Sequence, residues 1–414
     1  MVQNGAFRLH HRESNDWGHP WIYDVKTAKD NNANKHKWEI KDTLFILAEG
    51  CGMSFGGAFG TSWNPNYGEI FDGTILSSTG EVYLGQANPD TKDYHRFING
   101  AGIGLKEGVP PSTSSIKLGF RNPELVLDGP GCFINVDTIN LSTDGKGDNS
   151  SGNKIYVRNS SWIRARVVKG NGNGHFVFGD GVYEVGAAKD GESALFASCE
   201  KYGVLIEENG VCRIRAVNDT QAPADRAVTI AAAPMSGAGS LAIENNMGGE
   251  FKFSAMLTSG GNTATGTASA DKSSRLLFAD GANWAGTVVS KGNVGFGGDS
   301  PATVSMNALQ VDEGTLPIRV FVSEDSVACD CVNVGEGGLK FAEGTGLSLE
   351  IPGGIASVPA ASRLVVATAP LGTEVPDVRI DGFGKLKVEN DPSDASRIRL
   401  VAVRALHGLS VIVR

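Results

Sequence analysis

Short apolar runs separated by polar turns make up most of this chain, and helical periodicity is nearly absent. Apolar residues do not recur at the i, i+3, i+4, i+7 spacing of an amphipathic helix over any long stretch. Instead, a unit of strand, polar turn and strand recurs along the chain. The clearest units are Leu125–Val136, Ile155–Val167, Phe176–Val185, Val204–Ile214, Leu241–Phe253 and Leu276–Trp284.

The high glycine content predicts that many of these turns are tight corners. The chain holds 55 glycines, with seven Asp-Gly and five Asn-Gly dipeptides. Glycine and asparagine tolerate the positive φ that sharp corners need. Two structures use such a pattern, namely a set of β-hairpins or the corners of a coiled β-helix. The irregular spacing of the turns favours coils that carry loops of variable length.

Three segments resemble a known class of secreted proteins. The runs Asn153–Val167 and Gly203–Gly210, and again Arg275–Thr287, are similar to the degenerate repeats of autotransporter-passenger-like proteins. That family consists of large secreted right-handed β-helices of Gram-negative bacteria. The resemblance covers roughly residues 115–414, without a strict short period. It implies a β-helix that is secreted or held at the cell surface.

The predicted fold is therefore all-β, a right-handed parallel β-helix with an atypical N-terminal region and a C-terminal closing strand pair. We expect an N-terminal β region over residues 1–112, either the start of the solenoid, a cap with insertions or a separate small β domain. The solenoid proper is expected over 113–390 as a single elongated body. Closing strands are expected over 391–414, where Arg397–Val403 and Leu409–Val413 both alternate apolar and polar residues.

Charge and hydropathy exclude several partners. The formal net charge is −9, and no basic stripe is concentrated enough to neutralise phosphates, so nucleic acid is not an expected partner. No run of apolar residues is long enough for a membrane span. Residues 1–20 lack the apolar core of a signal peptide, so the expected secreted or surface location comes from the resemblance.

The six cysteines predict buried core thiols more readily than a metal site or a disulfide framework. No CxxC pair exists, and Cys329-Asp-Cys331 has no second pair to complete a zinc site. His10, His11 and His19 match no metal-ligand spacing. No phosphate-binding loop or nucleophile elbow occurs. We therefore expect no metal, no cofactor and no catalytic residue.

Two groups of residues are candidate ligand contacts. The first is the aromatic cluster of Trp17, His19, Trp21 and Tyr23, because flat rings beside hydrogen-bonding groups suit the apolar faces of sugars. The alternative is that these rings plug the end of the solenoid.

The second group is a pair of arginines that occurs twice, as Arg164 with Arg166 and as Arg213 with Arg215. In a strand they alternate with apolar residues, so the arginines face outward. Stacked coils would align four guanidinium groups into a ladder for carboxylate or sulfate groups. The alternative is a solvated face paired with Asp or Glu.

The sequence thus favours a secreted or surface-exposed structural or adhesive β-solenoid that contacts a polysaccharide or cell-surface glycan. The first alternative is a carbohydrate-active enzyme, a polysaccharide lyase or glycoside hydrolase, on a β-helix. The second is a receptor binder of the tail-spike type.

Overall fold

The fold consists almost entirely of short strands. A computed structural model describes residues 6–9, 39–47, 53–55, 70–77, 80–84, 95–104, 114–118, 124–141, 153–169, 174–186, 202–217, 227–247, 252–375, 379–380 and 383–404. Within these ranges the only helical element is a single 3-10 turn, Ile355–Ser357. No described helix is long and apolar enough to cross a membrane.

Contacts divide the chain into two compact units, Met1–Gly239 with Asn246–Glu250, and Ser240–Asn245 with Phe251–Arg414. The strands of the first unit are β1 (Ala6–Leu9), β2 (Glu39–Lys41), β3 (Leu44–Leu47), β4 (Met53–Phe55), β5 (Ile70–Asp72), β6 (Ile75–Ser77), β7 (Glu81–Leu84), β8 (His95–Ile98), β9 (Gly102–Gly104), β10 (Ser115–Leu118), β11 (Glu124–Asp128), β12 (Phe133–Asn140), β13 (Lys154–Arg158), β14 (Trp162–Lys169), β15 (Gly174–Gly179), β16 (Gly181–Gly186), β17 (Tyr202–Ile206), β18 (Val211–Val217), β19 (Ala227–Ala232) and β20 (Met235–Gly237).

The strands of the second unit are β21 (Ser240–Asn245), β22 (Lys252–Leu257), β23 (Thr267–Ala270), β24 (Ser274–Phe278), β25 (Asn283–Ser290), β26 (Val294–Phe296), β27 (Thr303–Val311), β28 (Thr315–Val322), β29 (Val327–Cys329), β30 (Cys331–Phe341), β31 (Gly346–Glu350), β32 (Arg363–Pro370), β33 (Arg379–Ile380), β34 (Gly384–Asp391) and β35 (Asp394–Val403).

Two long parallel ladders build the first unit. The eight-stranded ladder runs β2-β5-β8-β11-β13-β15-β17-β20. The second ladder runs β3-β6-β9-β12-β14-β16-β18. The chain alternates between the ladders, since each strand of the first is followed by one of the second. The two strands of a predicted unit therefore lie in different ladders, and the β-hairpin alternative is wrong for these units.

At one place in the first unit, a difference in chain length is absorbed between two strands without disturbing the ladder. Strand β10 pairs with the second half of β12, Ser115 opposite Thr138, while β9 pairs with its first half, Phe133 opposite Gly102. Residues 105–114 thus separate two short strands that the next strand of the ladder spans without a break. The register is preserved on both sides of the insertion.

Several strands alternate inward apolar and outward polar positions, as the period of two requires. In β18 every second residue is buried, and in β13 the inward residues are Ile155 and Val157. Aromatic rings stack along the interior: the ring centroids of Phe71 and Phe97 lie 4.5 Å apart, and both side chains are fully buried. Burying each such side chain contributes about 1.5–3 kcal/mol.

The corners between the two ladders are held by residues with positive φ. Asn99 and Asn159 occupy equivalent corners, each with φ of 53°. The following turns close through hydrogen bonds from Ala101 N to Ile98 O (3.1 Å) and from Ser161 N to Arg158 O (3.1 Å). The asparagines predicted to mark corners therefore do so here, because their short side chains tolerate the left-handed conformation.

The second unit has parallel ladders and an antiparallel end. Strands β23-β25-β27-β30 form one parallel ladder and β22-β24-β26 another. Strand β35 pairs antiparallel with both β32 and β34. Residues 397–403 are thus in a strand, as predicted, and their described partners are β32 and β34. The predicted partner Leu409–Val413 lies outside the described residues.

Candidate functional site

The structure describes part of the predicted ligand contacts. The aromatic cluster of Trp17, His19, Trp21 and Tyr23 lies outside the described residues. The arginine pairs lie on β14 and β18 of the first unit. Their apolar neighbours Ile163, Ala165, Ile214 and Ala216 are buried. This alternation confirms that the strands turn their apolar side inward; the side chain of Arg166 is not among those described.

The register interleaves acids with these arginines. One strand, β16, lies between β14 and β18 in the ladder. Trp162 is opposite Val182, which places Arg164 opposite Glu184, and Glu184 is in turn opposite Arg215. The column therefore reads arginine, glutamate, arginine. Adjacent guanidinium groups in it are separated by a carboxylate.

Arg164 and Arg213 are engaged in ion pairs. Arg164 Nη2 donates to Glu184 Oε2 at 2.9 Å, and each of these side chains is only 13% exposed. The Arg164 guanidinium also lies 5.7 Å from the centre of the Trp162 ring. Arg213 pairs with Asp180 in the loop before β16. Bound carboxylates or sulfates would have to compete with these internal partners.

A second charged column, which the sequence did not single out, follows the corner at the end of the eight-stranded ladder. In register it runs through Lys41, Asp72, Ile98, Asp128, Arg158 and Gly179. Asn99 Nδ2 donates to Asp72 Oδ1 at 2.7 Å, and Asn159 Nδ2 donates to Asp128 Oδ1 at 2.6 Å. The sequence signal was a charged residue at the last position of four of these strands, with an asparagine following β8 and β13, and the alignment of these residues is visible only once the register is known.

Asp128 is the most connected carboxylate of this column. It accepts hydrogen bonds from Arg96 and from Asn159. Burial by itself raises the pKa of Asp128, but these two hydrogen bonds and the charges of Arg96 and Arg158 outweigh it. The pKa of Asp128 therefore lies below its ordinary value. The carboxylate is held in its charged form, which suits a structural ion pair better than proton transfer.

One ion pair of the column reaches over a whole strand. Arg158 Nε donates to Glu207 Oε2 at 2.9 Å, passing over Gly179 of the strand between them. A Cβ at Gly179 would lie 2.2 Å from Glu207 Oε2 and 3.1 Å from Arg158 Cγ. A larger residue at position 179 would displace the Glu207 carboxylate, because the two long side chains occupy the space above the glycine. The hydrogen bond to Glu207 is the main cause that raises the pKa of Arg158.

Tyr156 lies beside this ion pair on the outward face of the ladder. The Arg158 guanidinium is 4.6 Å from the centre of the Tyr156 ring, within the range of a cation–π contact. The Tyr156 hydroxyl donates to Glu124 Oε1 at 3.4 Å, and Lys154 Nζ lies 3.4 Å from the same oxygen. A half-buried ring is thus framed by charged hydrogen-bonding groups.

The second unit contains a buried carboxylate bound by an arginine. Asp330 is fully buried, and Arg319 donates to it through Nε at 2.8 Å and Nη2 at 3.0 Å. The backbone N–H groups of Ala302 and Arg319 donate to the same carboxylate. Arg319 also donates to the carbonyls of Gly297 and Ser300. The pair therefore fastens the loop before β27 to β28 and β30.

Two of the four described cysteines confirm the prediction of buried thiols, whereas Cys329 and Cys331 depart from it because the intervening Asp330 is the residue that is buried. Cys132 and Cys212 are buried and unpaired with other cysteines, and Cys329 and Cys331 are half-buried free thiols. Burial raises the pKa of Cys132, and it raises the pKa of Cys329 to about 12. Cys51 and Cys199 lie outside the described residues.

Neither a metal centre nor a known relative guides the assignment. In the described ranges no group of three or more His, Cys, Asp or Glu side chains is placed to hold a metal ion. No family model matches the chain, and no curated protein matches it significantly.

Proposed function

We propose that this chain is a secreted or surface-exposed structural module of the adhesive type, folded as a right-handed parallel β-helix, whose outward faces contact glycans. The proposal treats the chain as a binding and spacing element without catalysis of its own. The proposal rests on the resemblance to autotransporter-passenger-like proteins and on the arrangement of the outward-facing charged side chains.

The coil is supported by the path of the chain through the first unit. Successive strands of the eight-stranded ladder begin between 20 residues (Lys154 to Gly174) and 33 residues (Tyr202 to Met235) apart. Each step visits the other ladder before it returns. Parallel connections of this kind within one sheet are right-handed in nearly all proteins, which supports the proposed hand.

The observation that supports the non-enzymatic role is that outward-facing charged side chains form ion pairs with one another across the strands. Arg164 with Glu184 and Arg158 with Glu207 bind groups on different strands of the ladder. A catalytic acid or base must be held within reach of a substrate and tuned for proton transfer. These side chains instead fasten one strand to another.

Contact with glycans is supported by the surface around Tyr156. Its ring is framed by Lys154, Arg158 and Glu124, so an apolar face lies beside donors and acceptors for hydroxyl groups. The aromatic cluster predicted at Trp17, His19, Trp21 and Tyr23 likewise combines aromatic rings with hydrogen-bonding groups and is part of this proposal.

A glycan panel tests the proposal directly. We expect the purified protein to retain at least one polysaccharide and to release neither reducing ends nor unsaturated products from it. Tyr156→Ala should weaken the retention and Tyr156→Phe, which keeps the ring, should preserve it. A second pair, Trp17→Ala and Trp21→Ala, probes the aromatic cluster in the same way.

The possible results separate the parts of the proposal. Shortened or unsaturated products would overturn the non-enzymatic role. Retention of no glycan, with a far-UV circular dichroism spectrum typical of β structure, would overturn the contact with glycans. Protease treatment of intact cells tests the location: a chain inside the cell envelope would stay uncut until the cells are opened.

A further inference from the structure

The geometry points to Asn99–Gly100 as a site of spontaneous deamidation at a corner of the first unit. In this reaction the Gly100 backbone nitrogen attacks Asn99 Cγ, and a bond forms between them. The Cγ–Nδ2 bond breaks, and ammonia leaves with the proton from the Gly100 nitrogen. Water then opens the cyclic imide at either carbonyl, which gives aspartate or isoaspartate at position 99.

The first condition is a nucleophilic amide that the fold leaves available. The Ile98–Ala101 turn closes through Ala101 N, which donates to Ile98 O at 3.1 Å. The Gly100 N–H is directed at the sulfur of Cys132, which is a weak acceptor, and none of the described backbone carbonyls accepts a hydrogen bond from it. Gly100 has φ of 79°, and a Cβ placed on it would meet nothing closer than 4.0 Å. The peptide unit after Asn99 therefore has room to turn toward the side chain.

The other Asn-Gly dipeptide among the described residues lacks this freedom. Gly210 N donates to Glu207 O at 2.8 Å, and Gly210 is buried. A Cβ at Gly210 would lie 2.8 Å from Phe178 O, so the backbone there is closely packed. Asn209 is exposed, with φ of 62°. The two sites thus share the sequence and the asparagine conformation but differ at the attacking nitrogen.

An equivalent corner supplies a closer comparison. Asn159 has the same φ as Asn99, and each asparagine donates from Nδ2 to an aspartate on a neighbouring strand. The residue that follows is Ser160, which has φ of 64° and whose N–H donates to Asp180 O at 2.7 Å. At this corner the attacking nitrogen is both hydrogen-bonded and part of a bulkier residue.

Conversion of Asn99 would change the corner chemically. Asn99 Nδ2 donates to Asp72 Oδ1 at 2.7 Å, and the new carboxylate has no proton to donate at neutral pH. Two carboxylates would then face each other at the end of adjacent strands. An isoaspartate would also lengthen the main chain within a stacked turn. The reaction therefore loosens the corner as the protein ages.

The test follows each asparagine in the folded protein over time. The full chain is incubated in mildly alkaline buffer, and peptide mapping by mass spectrometry measures the acid form at positions 99, 159 and 209. We expect Asn99 to convert several-fold faster than Asn209, and to exceed the rate of Asn159 by a larger factor. Gly100→Ser, which copies the sequence of the second corner, should lower the rate at Asn99 at least several-fold.

Two controls keep the result interpretable. Ser is compatible with position 100, because Ser160 adopts a similar φ in the equivalent turn, and an unchanged circular dichroism spectrum confirms the fold of the variant. In the urea-unfolded chain Asn99 and Asn209 should convert at similar rates. The inference is overturned if Asn209 keeps pace with Asn99 in the folded protein, or if the contrast persists after unfolding.

Discussion

Asparagine in place of Asp330 should destabilise the second unit far more than removal of an exposed charge. Asp330 accepts four hydrogen bonds, two from Arg319 side-chain nitrogens and two from backbone N–H groups. An amide there keeps the size but turns one acceptor into a donor that faces donors. It also leaves the mostly buried Arg319 without a counter-charge. Removing one partner of a buried pair costs about 3–5 kcal/mol.

The matched control is an exposed ion pair in the same unit. Lys272 Nζ lies 3.0 Å from Glu313 Oε2, with side chains 77% and 51% exposed. Glu313→Gln should cost less than about 1 kcal/mol, because water screens and replaces such a pair. Urea unfolding gives the two free energies, and hydrogen exchange measured by mass spectrometry locates the loss in peptides from β28 and β30.

A double-mutant cycle tests the cause. The double variant Arg319→Met with Asp330→Asn should recover part of the free energy of unfolding that Asp330→Asn loses. With both charges removed, no unpaired charge remains buried. If Asp330→Asn costs no more than Glu313→Gln, or if the double variant loses the full sum of the single changes, the reasoning from burial is refuted.

Three further results are expected. Cys132 and Cys212, whose thiol pKa values burial raises, should resist thiol reagents in the folded protein and react after unfolding; labelling of the native chain would contradict this. Hydrogen bonds from Ser393 lower the pKa of Asp391 from 3.8 to about 2. The stability that the Asp391 carboxylate contributes should therefore be complete above about pH 3.8 and be lost as the pH falls through about 2. Asp391→Asn should accordingly be less stable than the unaltered protein above about pH 3.8, and the two stabilities should converge below about pH 2. Arg164→Gln leaves a glutamate that is 13% exposed without its partner and should cost about 1–3 kcal/mol. Arg213→Gln, whose partner is 43% exposed, should cost less; equal losses in urea unfolding would contradict the role of burial.

The local elements of the fold could be predicted from the sequence, because alternation and turn chemistry act over a few residues. The run Leu125–Val136 contains β11, the Asp-Gly turn and the start of β12, as its apolar pattern indicates. Buried positions follow the same alternation. Parallel pairing was favoured by the irregular turn spacing, although hairpins fitted the same local pattern.

The register between strands could not be predicted, and the candidate sites depend on it. The arginine pairs of β14 and β18 were expected to stack on each other, but the register places β16, the second strand of the predicted unit Phe176–Val185, between them. Only the register shows that Glu184 lies opposite Arg215. The partner of Arg158 is 49 residues away in sequence, beyond the reach of any local rule.

The break between β9 and β10 has a consequence for how such a chain can acquire new parts. The neighbouring strand β12 spans the same path without interruption, yet both halves keep their pairing. A loop can therefore enter or leave the chain at this point without shifting the residues that follow. Evolution and protein engineering thus have the same entry point: the segment between β9 and β10 can change in length while the ladder on either side stays in step.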